Sequence, residues 1–104
     1  MRVQDANVTD AGLKHLARLT YLEKLYLYGT EVTGEGLRHL SRMPSLKVLD
    51  LEQTQVGDEG VRYMIALRSL KRLNLYGTQV TQAGAKTIRE QLSGVDLSWR
   101  DSTR

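Results

Sequence analysis

The chain has 104 residues, about the size of one domain, and 40% of them are hydrophobic and 26% charged. This composition is typical of a soluble globular protein and excludes wholesale disorder. No apolar run approaches the roughly 20 residues that a membrane helix needs. Because the chain has no cysteine, disulfides, thiol catalysis and zinc fingers are excluded. The net charge of +3 is too mild to indicate a nucleic-acid partner by itself.

The sequence repeats with a period of 24 residues. Blocks of the form L-x-x-L-x-L begin at Leu22, Leu46 and Leu70. Further columns keep the same register: Thr30, Thr54 and Thr78; Val8, Val32, Val56 and Val80; Gly12, Gly36, Gly60 and Gly84. The chain therefore consists of about four copies of one unit, and repeats of this length are typical of solenoids.

Each unit predicts a short strand followed by a helix. Alternating apolar and polar residues predict strands at Val3 and at 25–27, 49–51, 73–75 and 97–99. Apolar residues at helical spacing, as at 37, 40 and 43, predict the helices. Their expected N-caps are Thr9, Thr33, Asp58 and Thr81. Since glycine is a poor helix former, the glycine column in the first helical turn predicts close backbone approach to the neighbouring unit.

From Leu22 to Met43 the unit reads L-x-x-L-x-L-x-x-T-x-V-T-x-x-G-L-x-x-L-x-x-M. This pattern resembles the leucine-rich repeat family, with threonine where asparagine or cysteine is usual. The stretch VTDAGLKHLARL, from Val8 to Leu19, is similar to short repeats of planctomycete-type bacterial proteins and to the ribonuclease-inhibitor and F-box-associated subclasses. The resemblance implies an α/β solenoid, a short arc with a parallel sheet on its concave face and helices on its convex face. It also implies a binding scaffold and not an enzyme.

We expect a single domain over residues 1–99, with residues 92–99 as a C-terminal capping strand and residues 100–104 as a polar tail. Trp99 stands in the column of Leu27, Leu51 and Leu75. A large aromatic ring at this position is expected to cover the last core layer. The alternative is that Trp99 anchors a binding partner.

The residues beside the strand leucines form the predicted functional surface, because they differ between units while the leucines repeat. The candidate partner-binding residues are Lys24, Tyr26, Tyr28, Asp50, Glu52, Arg72, Asn74 and Tyr76. The same face includes Val48, Asp96, Ser98 and Arg100. Tyrosine and arginine are frequent anchors at protein interfaces, so we predict a module that binds a protein or peptide partner on this concave face, as one segment of a larger repeat protein. The alternative is a structural spacer or an isolated repeat fragment, in which the tyrosines serve β-propensity alone.

We predict no catalytic, cofactor or metal site. His15 and His39 occupy one column on the helical side, and that column continues as Tyr63 and Thr87, which are not ligands for a shared metal. No Ser/His/Asp arrangement is indicated either, since both histidines fall on the convex face.

A basic column, Lys14, Arg38, Arg62 and Lys86, runs down the helices. It could bind phosphates. We favour a solvated face with internal pairs, because Asp10 precedes Lys14 by four residues and Asp58 precedes Arg62 by four. Glu35 and Glu59 lie three residues before arginines of the same column. We therefore expect neither a nucleic-acid nor a membrane partner.

The N-terminal end lacks a cap comparable to Trp99. If the 104-residue chain is the whole molecule, the strand at Val3 has a bare edge, and Val8, Leu13 and Leu16 are exposed beneath it. We then expect self-association through this end. The lack of a signal-peptide pattern and of cysteine favours a cytoplasmic location.

Overall fold

The computed structural model describes residues 8–41 and 43–100, in which helices and strands alternate. The helices are α1 (Asp10–Leu16), α2 (Leu37–Leu40), α3 (Val61–Met64) and α4 (Gln82–Gln91). Short 3₁₀ turns at Gly34–Gly36 and Asp58–Gly60 lead directly into α2 and α3. The strands are β1 (Lys24–Tyr26), β2 (Val48–Asp50), β3 (Arg72–Asn74) and β4 (Asp96–Ser98).

The four strands form one parallel sheet in chain order. Leu25 pairs with Leu49, Leu49 with Leu73, and Leu73 with Leu97, which is the predicted 24-residue register. Each strand begins and ends one residue earlier than predicted. The ladder nevertheless continues past the strand ends, since the Leu27 N–H donates to the Asp50 carbonyl at 2.8 Å. The predicted strand at Val3 and the tail residues 101–104 lie outside the described residues.

The core lies between the sheet and the helices and runs through all the units. The strand-side leucines at 25, 27, 49, 51, 73 and 75 are fully buried, as are Leu40, Met64 and Ile88 on the helical side. Each fully buried side chain of this size contributes about 1.5–3 kcal/mol of transfer free energy. Because no single unit could bury both its strand and its helix, the units are stable only as a stack.

The threonine column closes the turn that follows each strand. Thr30, Thr54 and Thr78 are buried, and their hydroxyls donate to the carbonyls three residues earlier at 2.9, 2.7 and 2.7 Å. A buried hydroxyl needs such a partner. Threonine therefore supplies the buried hydrogen bond at the position where asparagine or cysteine is usual in the family that the sequence resembles.

The glycine column marks the predicted close approach between units. A Cβ at Gly36 would overlap the Asp10 carboxylate, and one at Gly84 would overlap the Asp58 carboxylate. A Cβ at Gly60 would lie 2.9 Å from the Gly34 Cα. Close backbone approach is confirmed at Gly60, whereas at Gly36 and Gly84 the atoms that come close belong to an aspartate side chain of the preceding unit.

The predicted N-cap role of Asp58 is wrong. Its carboxylate instead accepts from the backbone N–H of Thr81 at 2.9 Å and from the Thr81 hydroxyl at 2.5 Å, one unit further along. Asp10 makes the same two contacts with Thr33, at 2.7 and 2.5 Å. Gly57 occupies the N-cap position of the turn at 58–60. The aspartates therefore join neighbouring units, because the solenoid brings each aspartate beside the start of the next helical segment.

Another expectation that fails is the exposure of Leu13, which is fully buried because α1 packs against α2 and the turn before it. Val8 and Leu16 are half-buried and pack against the core. At the other end of the described chain, the half-buried Trp99 ring packs on the core. Its indole Nε1 donates to the Val80 carbonyl at 2.8 Å.

Candidate interaction site

The candidate residues lie on consecutive strands and on the turns directly after them. Lys24, Tyr28, Arg72 and Tyr76 are exposed, and Tyr26, Asp50, Glu52 and Asn74 are half-buried. The parallel register stacks them in rows that cross the strands. Rows of this kind form where one residue from each unit stands beside its counterpart, about 4.8 Å away.

The row formed by Tyr28, Glu52 and Tyr76 lies just beyond the strands. Backbone hydrogen bonds keep it in register, since the Gly29 N–H donates to the Glu52 carbonyl at 3.0 Å and the Gln53 N–H donates to the Tyr76 carbonyl at 2.9 Å. Tyr28 is 43% exposed and Tyr76 is 42% exposed. Two accessible aromatic rings therefore flank one carboxylate on a fixed backbone.

Asn74 connects two members of this row, Glu52 and Tyr76. Its Nδ2 donates to Glu52 Oε1 at 3.0 Å, and its Oδ1 accepts from the Tyr76 N–H at 3.0 Å. Asp50 Oδ1 accepts from the Glu52 N–H at 2.9 Å. These contacts fix the backbone of Glu52 and the orientation of its carboxylate.

The cations toward β4 have partners on the protein. Arg72 Nε lies 3.6 Å from Asp96 Oδ2. Arg100 donates from a guanidinium nitrogen to the Tyr76 hydroxyl at 3.3 Å. This hydrogen bond, together with the electrostatic effect of the same Tyr76 side chain, raises the pKa of Arg100 above its usual value. Arg100 is thus a cation held at the Tyr76 hydroxyl.

The turns after the strands contain a strained residue that sequence reasoning missed. Gly29, Gln53 and Gly77 share one column and have φ angles of 69°, 60° and 71°. Glycine adopts this left-handed conformation without penalty, whereas Gln53 does not. A Cβ at Gly77 would lie 2.6 Å from Gln53 Nε2, so the Gln53 side chain lies against Gly77. In the sequence, the aligned glycines Gly29 and Gly77 indicate a left-handed position in this turn, which Gln53 shares by register.

The convex side carries an open groove of about 630 Å³ beside α1 and α2. It is lined by Lys14, Ala17, Arg18, Arg38, His39 and Ser41. Arg38 pairs with Glu35 at 3.3 Å. The groove is therefore basic, and sequence reasoning had not brought Arg18 and His39 together in one site.

The predicted pairs Asp10–Lys14 and Asp58–Arg62 do not form within the described ranges. Both carboxylates are engaged by threonines of the next unit, which a pattern of i,i+4 charges cannot reveal. Arg62 lies over the Tyr63 ring at 5.0 Å from its centre.

His15 and His39 lie on different helices, α1 and α2. Among residues 8–41 and 43–100, no three histidine, aspartate or glutamate side chains cluster as metal ligands would. The helices of this part of the chain are too short or too polar to cross a membrane.

Comparison with known proteins identifies the fold. Residues 42–64, which hold β2, the turn after it and α3, match a family model described as Leucine Rich repeat. Actin-binding site 2 of leiomodin-1 superposes with a TM-score of 0.73 at 12% identity, over 97% of this chain and 70% of that chain. The fold is a leucine-rich repeat solenoid.

A leucine-rich repeat protein of Leptospira interrogans superposes with a TM-score of 0.56 at 19% identity. The alignment covers 82% of this solenoid and 27% of that chain. At these identities the similarities concern the fold alone. A search of the curated proteins finds no sequence match. The resemblance to planctomycete-type repeats stays a prediction.

Proposed function

We propose that this leucine-rich repeat solenoid is an interaction module that binds a protein or peptide on its concave face. One observation carries the proposal. Tyr21, Tyr28 and Tyr76 are the large hydrophobic side chains that are exposed in the described part of the chain, and two of them lie in one concave row. Exposed tyrosines on a rigid surface are typical anchors of protein interfaces.

The rigidity of the row supports the proposal. The backbone ladder continues through Gly29 and Gln53, and Asn74 holds both the Glu52 side chain and the Tyr76 backbone. Binding to such a surface orders few further groups, so little of the interaction free energy is lost to conformational entropy.

The fold comparison supports a binding role in general terms. Leucine-rich repeats serve mainly as scaffolds for protein interactions, and one similar structure is described as an actin-binding site. At 12% identity the similarity does not extend to the partner. The alternative for this chain is a structural spacer without its own partner, in which changes on the concave face alter no interaction.

The experiment begins with a random dodecapeptide library displayed on phage and selected against the full chain. Selected peptides are then measured against a double variant, Tyr28→Ser with Tyr76→Ser. Removing both anchors should weaken binding at least about tenfold, since a single anchor contributes on the order of 1–2 kcal/mol. Because both rings are partly exposed, the melting temperature should change little.

The matched control is a second double variant, Arg38→Ser with Arg62→Ser, on the convex side. It should bind the peptides as the original chain does. Loss of binding in this control alone, with an affinity that falls steeply as salt rises, would place the site on the basic convex side. If the library yields no binding peptide, the alternative of a structural spacer without its own partner is favoured.

We also propose that the first unit associates with a second copy of the chain. Tyr21 is 73% exposed, and Ser45 and Ser69 occupy the same column in the next two units. Leu22 is half-buried, whereas its counterpart Leu46 is fully buried. The first unit therefore presents more apolar surface than the unit after it, and such surface promotes association.

Sedimentation equilibrium tests this association. The chain should dimerise, Tyr21→Lys should shift it toward monomer, and Tyr76→Lys should leave the dimer intact. A chain that stays monomeric at millimolar concentration, or a dimer that only Tyr76→Lys disrupts, would refute association through the first unit.

A further inference from the structure

We infer that Tyr28, Glu52 and Tyr76 together bind a basic side chain of the partner. We call these three residues the cation clamp. The inference rests on the proposed function, because it identifies the chemistry that the concave face recognises. It concerns a lysine or arginine that the partner presents to the centre of the row.

The spacing of the row suits a cation. Neighbouring units stand about 4.8 Å apart along a sheet, so the two tyrosine positions are separated by roughly 10 Å with Glu52 midway between them. A positive group held at the Glu52 carboxylate would therefore lie between the two tyrosines, offset from each by about one unit spacing along the sheet. Cation–π attraction acts within about 6 Å of a ring centre.

The Glu52 carboxylate is oriented but not saturated. Asn74 Nδ2 donates to Oε1 at 3.0 Å. Within the described residues, Oε2 accepts no hydrogen bond from the protein. One carboxylate oxygen is thus left for a donor from outside, in a half-buried position where a charge-assisted hydrogen bond is stronger than in open water.

The surrounding charges favour a positive ligand at this point. Asp50, in the preceding row, contacts the Glu52 backbone and adds a second negative charge nearby. Arg72 is paired with Asp96 at 3.6 Å. Arg100 donates to the hydroxyl of Tyr76 from the β4 side, so it lies one unit beyond Tyr76 as seen from Glu52. The centre of the row is therefore acidic and aromatic. Arg72 and Arg100 are held toward β4, and Lys24 lies on β1 in the row of Val48, outside the row of Glu52.

The test uses the peptides selected from the dodecapeptide library. They should share a lysine or arginine at one aligned position. Replacing that residue by glutamine in a synthetic peptide should weaken binding about tenfold, and Glu52→Gln in the protein should do the same. Combining both changes should cost little more than either alone, because each removes the same contact.

Glu52→Gln keeps an oxygen that can accept from Asn74, so the row should stay folded. Glu90→Gln on α4 is the matched control, because it removes the same charge from the convex side. It should leave peptide affinity unchanged. Thermal melts of both variants should overlay the melt of the original chain.

The outcomes separate the clamp from the proposed function. The clamp would be overturned, and the concave site retained, by peptides whose binding needs both tyrosines but is unaffected by Glu52→Gln. Selected peptides that need both tyrosines but share no basic residue would have the same meaning. Peptides that still bind without both tyrosines would overturn both inferences. Failure to select any binder would also contradict both.

Discussion

The two sides of the same strands differ sharply. On the buried side, Leu25, Leu49 and Leu73 are identical and fully shielded from solvent. On the concave side, the next residue of each strand changes from Tyr26 to Asp50 to Asn74. The repeated residues therefore determine the fold, and the residues that differ between units are the ones that we propose for recognition.

The buried side gives the largest expected effect. Leu49→Asp should unfold the chain, because it removes a fully buried leucine and places an unpaired charge in the core. Replacing such a leucine by alanine alone costs about 2–5 kcal/mol, a large share of the stability of a small domain. Circular dichroism melts should show no cooperative transition.

The concave side supplies the control for that change. Glu52→Ala should shift the melting temperature only slightly, since it removes a half-buried side chain and one hydrogen bond to Asn74. If Leu49→Asp and Glu52→Ala melted alike, the assignment of buried and concave sides would be wrong.

The buried side could be predicted from sequence because its signal is repeated. Four copies of one register place Leu25, Leu49 and Leu73 in a single column, and stacking a column of leucines leaves one arrangement that buries them. The predicted strands began and ended one residue later than the observed strands. At their ends this has a physical reason, because Leu27 and its counterparts still donate to the ladder after the strands end.

The contacts between units could not be predicted, because they depend on distances across the stack. Asp58 was expected to cap its own turn, and in the structure it binds Thr81 instead. Local sequence patterns report neighbours along one helix. They do not report which side chain of the next unit comes within hydrogen-bonding distance.

The glycine column sharpens the comparison, because its members are not equivalent. Gly84→Ala should lower the free energy of unfolding by about 1–3 kcal/mol, since the new Cβ overlaps the Asp58 carboxylate. Gly12→Ala should instead raise it by up to about 1 kcal/mol. Among the described residues, the nearest atom to a Cβ at Gly12 is 3.8 Å away, and Gly12 lies within α1. Urea titrations would measure both.

A double variant tests the cause of the Gly84 effect. Asp58→Ala alone should destabilise by removing two contacts with Thr81. If the overlap is the cause, Gly84→Ala should cost less in that background than in the original chain. Equal costs in the two backgrounds would exclude the carboxylate as the obstacle.

The smallest expected effect concerns the turns that border the concave row. Gln53→Gly should raise the free energy of unfolding by about 0.5–1 kcal/mol, because glycine adopts the left-handed conformation at this position without steric strain. Gly29→Ala should have the opposite sign, since its φ is 69°. A destabilised Gln53→Gly would show that the side-chain contact with Gly77 outweighs the strain.

The central claim is that recognition occurs on the concave face. Its most direct test is a titration of the isotope-labelled chain with a selected peptide, followed by NMR through backbone amide and tyrosine ring signals. We expect the largest shifts at Tyr28, Glu52 and Tyr76, with little change along the helices. Shifts concentrated at Lys14, Arg18 and Arg38 instead would contradict the claim and assign binding to the convex groove.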